Sequence, residues 1–250
     1  VGNDIDIQVS TAKRFPRSVG EAKQRAIEQA TIDQETANSC IYAIRRAGKI
    51  IEGPSTRLAE IAATSYGNLR VAAKTIGEDD GYTYAEAIGW DLETNVAISY
   101  QTKRRITNRE GERYNDDMVM TTANAATSIA LRNVVFRVIP RAFINEVYQA
   151  ARKTVAGDSK TLKKRRDEMI QYFDSQGVSE QQIIELLEVS KVDDITLDHI
   201  ATLRGFASSV KDGETTFDAV FRHGGEQQPE DSEPEATAGT EGGVVDIETV

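Results

Sequence analysis

The stretch Leu69–Ile106, LRVAAKTIGEDDGYTYAEAIGWDLETNVAISYQTKRRI, decides how this chain folds. In its first third Leu69, Val71, Ala73 and Thr75 alternate with Arg70, Ala72, Lys74 and Ile76, the period of two expected of a strand with two different faces. Asp80-Gly81 is a tight-turn signal, and DLETN separates the two runs that follow, YTYAEAIGW and VAISYQTKRRI. The simplest account is a three-stranded antiparallel meander. In its second strand Tyr82, Tyr84, Glu86, Ile88 and Trp90 share one face, and Thr83, Ala85, Ala87 and Gly89 share the other. A face of such small side chains lets a helix lie close to the sheet.

That helix is expected on the C-terminal side. After the polar loop NREGERYNDD, residues Met120, Ala123, Thr127, Ala130, Leu131, Val134 and Val138 recur at three and four, the spacing of one helical face, with Ile129, Arg132 and Phe136 opposite. A helix apolar on two sides is expected to be sandwiched between the sheet and a further element or a neighbouring subunit. Pro140 should end or kink it before RAFINEVYQAARKTV resumes as a second helix. The fold class is therefore α+β, a small antiparallel three-stranded β-meander packed with helices.

Further out, Ala- and Glu-rich residues 18–50 read as helical with a break, and RLAEIAATSYG reads as a helix from Ser55 to Tyr66 ended by Gly67. KTLKKRR opens a basic helix reaching Phe173. Two short helices follow, SEQQIIELLEV and TLDHIATLRGFASSVKDG, with Ser179 and Thr196 as caps. The expected organisation is an N-terminal arm (1–17), an α+β core (18–158), a basic helix with a small acidic helical module (159–223), and an acidic tail (224–250).

The net charge of −10 hides an uneven distribution. The tail holds eight acids, Glu226, Glu230, Asp231, Glu233, Glu235, Glu241, Asp246 and Glu248, and no Lys or Arg. Residues 100–170 carry 15 Lys/Arg against 8 Asp/Glu, whereas 171–223 carry 4 against 10. A basic centre beside an acidic flank points to a polyanion partner for the centre. The tail's composition, too poor in large apolar residues to offset chain entropy, predicts disorder, with a short docking peptide at Val244–Glu248 or simple shielding of the basic groove as its two readings. A single cysteine, Cys40, excludes an internal disulfide framework and suits a reducing, cytoplasmic setting. No run approaches the roughly 18 apolar residues of a membrane span.

Catalytic motifs are scarce. His199 and His223 lack partners at metal-ligand spacing. Gly48-Lys49 falls short of a phosphate loop because Ala43 and Ile50 stand where a glycine and a hydroxyl residue are required. Cys40 reads as a buried spectator on a helix with Ile41 and Ile44, and Glu21-x-Lys23 and Asp158-x-Lys160 are too common in a charged chain to mark a nuclease. No catalytic site, metal or cofactor is expected, magnesium acting only on DNA binding. The polar features instead suit a nucleic-acid groove. Lys103, Arg104 and Arg105 end the third strand, Arg109, Arg113 and Tyr114 follow in the loop, and Arg132, Arg137 and Arg141 lie on the helix. Tyr82, Tyr84, Tyr100 and Tyr114 are candidates for stacking, weighed against half-buried core. A second candidate, a phosphate-sized site, is the helix start Ser55-Thr56-Arg57 with Arg45, Arg46 and Lys49 around it, the alternative being a plain helix cap.

The stretches CIYAIRRAGKIIEGPSTRLAEIA, AIGWDLETN, ANAATSIALRNVVFRVIPRAF and DDITLDHIATLRGFASSVKDGETTFDAVF together resemble phage proteins of the RecT/Redβ-like single-strand annealing group, over about residues 36–222. The resemblance implies a β-β-β-α annealing core and ATP-independent pairing of complementary DNA strands in phage recombination. It also implies a homo-oligomeric ring or helical filament in the bacterial cytoplasm, with a phage exonuclease and the host single-strand DNA-binding protein as partners. A non-annealing nucleic-acid accessory protein is the first alternative reading, and a metal-dependent nuclease the second.

Overall fold

The computed structural model describes residues 2–108 and 110–221. The tail 224–250, with its expected disorder, lies outside these residues, as do Arg109 and His223.

The meander forms as the period of two predicts. Strands β3 (Leu69–Glu78), β4 (Tyr82–Asp91) and β5 (Val96–Arg105) make an antiparallel sheet in the order β3-β4-β5. Asp79 shapes the first turn, its carboxylate accepting from the amides of Gly81 and Tyr82. The register opposes Ala87 to Tyr100 and Gly89 to Ile98, and runs unbroken from Tyr82↔Arg105 to Asp91↔Val96. In β4 burial alternates, with Thr83, Ala85, Ala87 and Gly89 covered and Ile88 open.

The long helix α5 (Asp116–Val138), capped by Asn115, covers that small-residue face. A Cβ at Gly89 would meet methyl carbons of Val134 and Val138 at 3.3 Å, so the close approach depends on glycine there. The opposite side of α5 is also covered: Arg132 is buried, its guanidinium over the Tyr42 ring. The two-sided apolar pattern therefore finds its second partner within the chain. Met118 and Met120 remain exposed in the first turns. Extended Ile139 and Pro140 separate α5 from α6 (Arg141–Ala156), so the break expected at the proline is present.

The N-terminal third differs from its helical expectation. The segment 2–14, expected only as an arm, contains helix α1 (Gly2–Arg14); α2 (Val19–Ala30) and α3 (Gln34–Ser39) follow, capped by Ser18 and Asp33. Residues 41–54, however, form a hairpin, β1 (Ile41–Arg46) with β2 (Lys49–Pro54). Ala47 and Gly48 both have positive φ, 48° and 78°, the two-residue turn whose twist suits a hairpin. Ile41, Ile44, Ile50 and Ile51 supply the β-branched side chains, outweighing the helical composition before them. Cys40 consequently ends α3 rather than sitting mid-helix; it is buried, and burial pushes its thiol up to about 12.

Helix α4 (Thr56–Tyr66) begins at the Ser55 cap and ends at Gly67, φ 71°. C-terminal helices α7 (Leu162–Ser175), α8 (Glu180–Leu186), α9 (Leu197–Lys211) and α10 (Phe217–Phe221) enclose Phe173, Ile183, Leu203, Phe206 and Phe221. Ser179 and Thr196 cap α8 and α9 with reciprocal bonds from Gln182 and His199. This cluster is not detached from the core. Ala43 of the hairpin packs within it, the Ala43 amide donates to Ser209 Oγ at 3.1 Å, and Gly205 lets α9 lie directly on β1. The described residues are thus α+β, with one three-stranded sheet, one hairpin and helices on both. Among the described residues no helix is long and apolar enough to cross a membrane.

Candidate nucleic-acid interface

Because side chains alternate along a strand, covering one face of the sheet leaves the other as a separate surface. The register places Arg70 beside Trp90, Ala72 beside Ile88, Lys74 beside Glu86, Tyr84 beside Lys103 and Tyr82 beside Arg105 on this open side. Lys74, Arg70 and Lys103 are exposed, and the three aromatic residues are half-buried. Lys103 Nζ stands 4.8 Å from the Tyr82 ring centre and the Arg105 guanidinium 6.0 Å from it. Such contacts attract the cation to the ring face and hold its charge over the sheet. Tyr84 donates its hydroxyl hydrogen to Asp79 at 2.7 Å, and Trp90 Nε1 donates to Asn95 at 3.2 Å, so both rings are oriented from their polar edges. The Tyr84 bond, together with the Gly81 and Tyr82 amides, holds the Asp79 carboxyl below the ordinary carboxylate range.

Of the nine residues expected to line one groove, the eight that are described are divided by this geometry. Lys103 and Arg105 point to the open face; Arg104, opposite buried Thr83, belongs to the helix-covered side. Exposed Arg137 lies with its guanidinium 4.7 Å from the Tyr100 ring, and Tyr100 is itself buried under the sheet, so it offers no free ring for stacking. Arg141 is exposed but follows the Pro140 break, so it does not continue the Arg137 face. Arg113 forms an exposed ion pair with Glu78 at 3.0 Å, and half-buried Tyr114 donates its amide to Ile106. Arg132 is a fold residue: its side chain, 6% exposed, binds Glu214 at 3.1 Å.

The second expected site does not assemble. Ser55 is buried; its Oγ accepts from the Leu58 amide at 3.3 Å and donates to the Ser39 carbonyl at 2.5 Å, which is the work of a cap. Thr56 bonds the Ser128 carbonyl, and Arg57 pairs with Glu60. Arg46 and Lys49 face each other at the hairpin tip, while Pro54, beside the helix start, is at its base opposite Ile41. Five residues of strand separate tip from base, about 16 Å. Arg45 is turned to the Val220 carbonyl.

Other arginines that sequence reasoning did not single out are structural. Arg17 makes a bidentate contact with Asp91, at 2.5 and 2.9 Å, bonds Glu93, and lies 4.1 Å from the Tyr66 ring centre. Burial alone would raise the Asp91 carboxyl, but the Arg17 bonds and the Glu93 amide outweigh it and hold the group below its ordinary value. Glu52 of the hairpin accepts from Tyr148 and Arg152 of α6 and from Thr202 of α9, joining three elements. Trp90, Arg70 and Lys74 are the open-face residues omitted from the expected site. The alternation of β3 and β4 was the available signal.

Comparison of the chain with protein-family models, with curated proteins and with solved structures found no match.

Proposed function

We propose that this protein binds single-stranded DNA and anneals complementary strands without ATP, as a homo-oligomer acting in phage recombination in the bacterial cytoplasm. The carrying observation is the open face of the β3-β4-β5 sheet, where Tyr82, Tyr84 and Trp90 lie among Arg70, Lys74, Lys103 and Arg105. A single strand needs cations that track its phosphates and flat side chains under its bases, each stacked base contributing about 1–3 kcal/mol. A face left uncovered by helices suits annealing in particular, since a strand laid on it keeps one side accessible to its complement. The resemblance to the RecT/Redβ-like group agrees with this reading, the sheet and α5 corresponding in order to its β-β-β-α core. In the same reading the protein has no catalytic site, takes no cofactor, responds to magnesium only through DNA binding, and works with a phage exonuclease and the host single-strand DNA-binding protein.

The test is a strand-annealing assay with complementary oligonucleotides, free of ATP and metal. Accelerated pairing is expected; binding without pairing would leave an accessory role, and metal-dependent cleavage would replace the reading with a nuclease. Changing Lys103, Arg104 and Arg105 together to Ala should lower the slope of log K against log salt by about 0.7 for each phosphate that is no longer neutralised. An unchanged slope would remove this strand end from the interface.

A further inference from the structure

The two edges of the three-stranded sheet are unlike. On the β3 side the ladder is irregular between Thr75 and Gly77, helix α4 packs nearby, and Arg70 is bonded to Gln8 of α1. Such devices blunt an edge. On the β5 side the ladder to β4 is regular over ten pairs, and no described strand adds to its far edge. Val96, Ala97, Ser99, Gln101 and Lys103 are all exposed. An unblunted, unbroken edge is a template for strand addition.

Its charge selects the strand. The C-terminal end of β5 is Lys103-Arg104-Arg105, and none of the three forms an ion pair among the described residues. Within the acidic tail one segment has strand composition, Val244-Val245-Asp246-Ile247-Glu248-Thr249. With a period of two, Asp246 and Glu248 fall on one face and Val245, Ile247 and Thr249 on the other. A strand of that pattern laid along β5 sets its two carboxylates on the open side of the sheet, beside Lys103 and Arg105, and its aliphatic side chains on the helix side. Reach is sufficient. The 22 residues between Phe221 and Val244 span up to about 75 Å when extended, against a radius of gyration of about 17 Å for a folded body of this size.

We propose that residues 244–249 of this chain's own tail add as a fourth strand to the β5 edge and compete there with nucleic acid. The competition rests on the single-strand reading above; the strand addition does not. Docking places the tail carboxylates at Lys103 and Arg105, so an incoming strand must displace them before it gains those cations. Binding should therefore be self-limited at low salt and relieved by removal of the tail.

Hydrogen exchange of the full chain, compared with a chain ending at Glu241 and with the full chain carrying D246N and E248Q, tests this. Expected is slower exchange of the outward-facing β5 amides in the full chain, by about tenfold or more, abolished on truncation and reduced in the double variant. The truncated chain should also bind an oligothymidylate more tightly, by about threefold or more at low salt. Equal β5 exchange in the full and truncated chains would overturn the proposal. Protection that survives truncation and grows with protein concentration would assign the edge to a second copy and overturn it too. If β5 is protected by the tail but neither chain binds the oligonucleotide, the single-strand reading fails and the competition with it, while the strand addition stands.

Discussion

The hairpin β1-β2 and the sheet β3-β4-β5 are both antiparallel, both carry clusters of cations, and both are covered on one face by a helix. They differ in what is done with the polar groups. Around the hairpin, Glu52 is enclosed by Tyr148, Arg152 and Thr202, and Tyr42 lies beneath the Arg132 guanidinium. On the open side of the sheet, Lys74, Lys103 and Arg105 have no carboxylate within ion-pair distance among the described residues. The lesson concerns basic residues in general. A count of cations does not locate a polyanion surface, because an arginine with its charge satisfied by a buried carboxylate has no charge to offer a phosphate.

The contrast between satisfied and available cations is tested most severely at Arg132. Replacing it with Ala leaves Glu214, only 10% exposed, without its partner, and should cost about 3–5 kcal/mol of stability by urea unfolding. A cost below about 1 kcal/mol would mean that the pair does not join α5 to the C-terminal helices. Next is Gly89→Val, which places two methyl groups where Val134 and Val138 already pack; stability should fall by about 1–3 kcal/mol, with α5 displaced from the sheet. Gly77, with nothing near it, should accept Ala at far smaller cost, and the two variants together measure how close the covered face is.

A smaller effect is expected from pH. The Asp91 carboxyl is held below its ordinary value in the folded protein, so its contribution is complete above the unfolded value near 3.8 and declines as the pH falls through the depressed folded value. The acid limb of the stability curve should therefore flatten in Arg17→Met, compared in thermal melts between pH 2 and 5. An acid limb as steep as in the parent would remove the Arg17–Asp91 contact from the explanation.

The smallest change in stability, within about 0.5 kcal/mol, is expected for Lys103→Ala with Arg105→Ala, since both side chains are on the uncovered face. The same pair should lower the salt slope of single-strand binding by about 1.4, whereas Arg104→Ala, directed to the helix side, should change it less. Equal effects from all three would erase the distinction between the faces. Trp90→Ala should weaken single-strand binding by about 1–3 kcal/mol if its ring carries a base.

Much of the fold was legible in local pattern. The alternation through Leu69–Ile106 gives the three strands, the small residues of β4 reveal which face receives the helix, and Ser55, Ser179 and Thr196 cap where their spacing indicates. The hairpin was not legible to a composition argument, because six residues of strand follow directly on a short helix with no intervening polar loop. Its local signs were the isoleucines Ile41, Ile44, Ile50 and Ile51 on either side of the Ala47-Gly48 turn, and the turn itself was masked because alanine is an unusual residue for positive φ. The candidate site was legible by half. Lys103, Arg105, Tyr82 and Tyr84 follow from their position on strands, whereas Arg132 does not belong with them, because nothing near it in sequence shows Glu214, 82 residues away.

The sequence by itself thus determined periodicity, caps, turn positions and the uneven placement of charge, all properties of neighbouring residues. Only the tertiary structure decided which cations are available. Arg17, Arg132, Arg152 and Arg166 meet carboxylates brought from distant segments, and Lys103 and Arg105 meet aromatic rings instead. The physical reason is that the charge presented to a partner depends on the nearest counter-charge and on access to water, and both are set by which segments pack together.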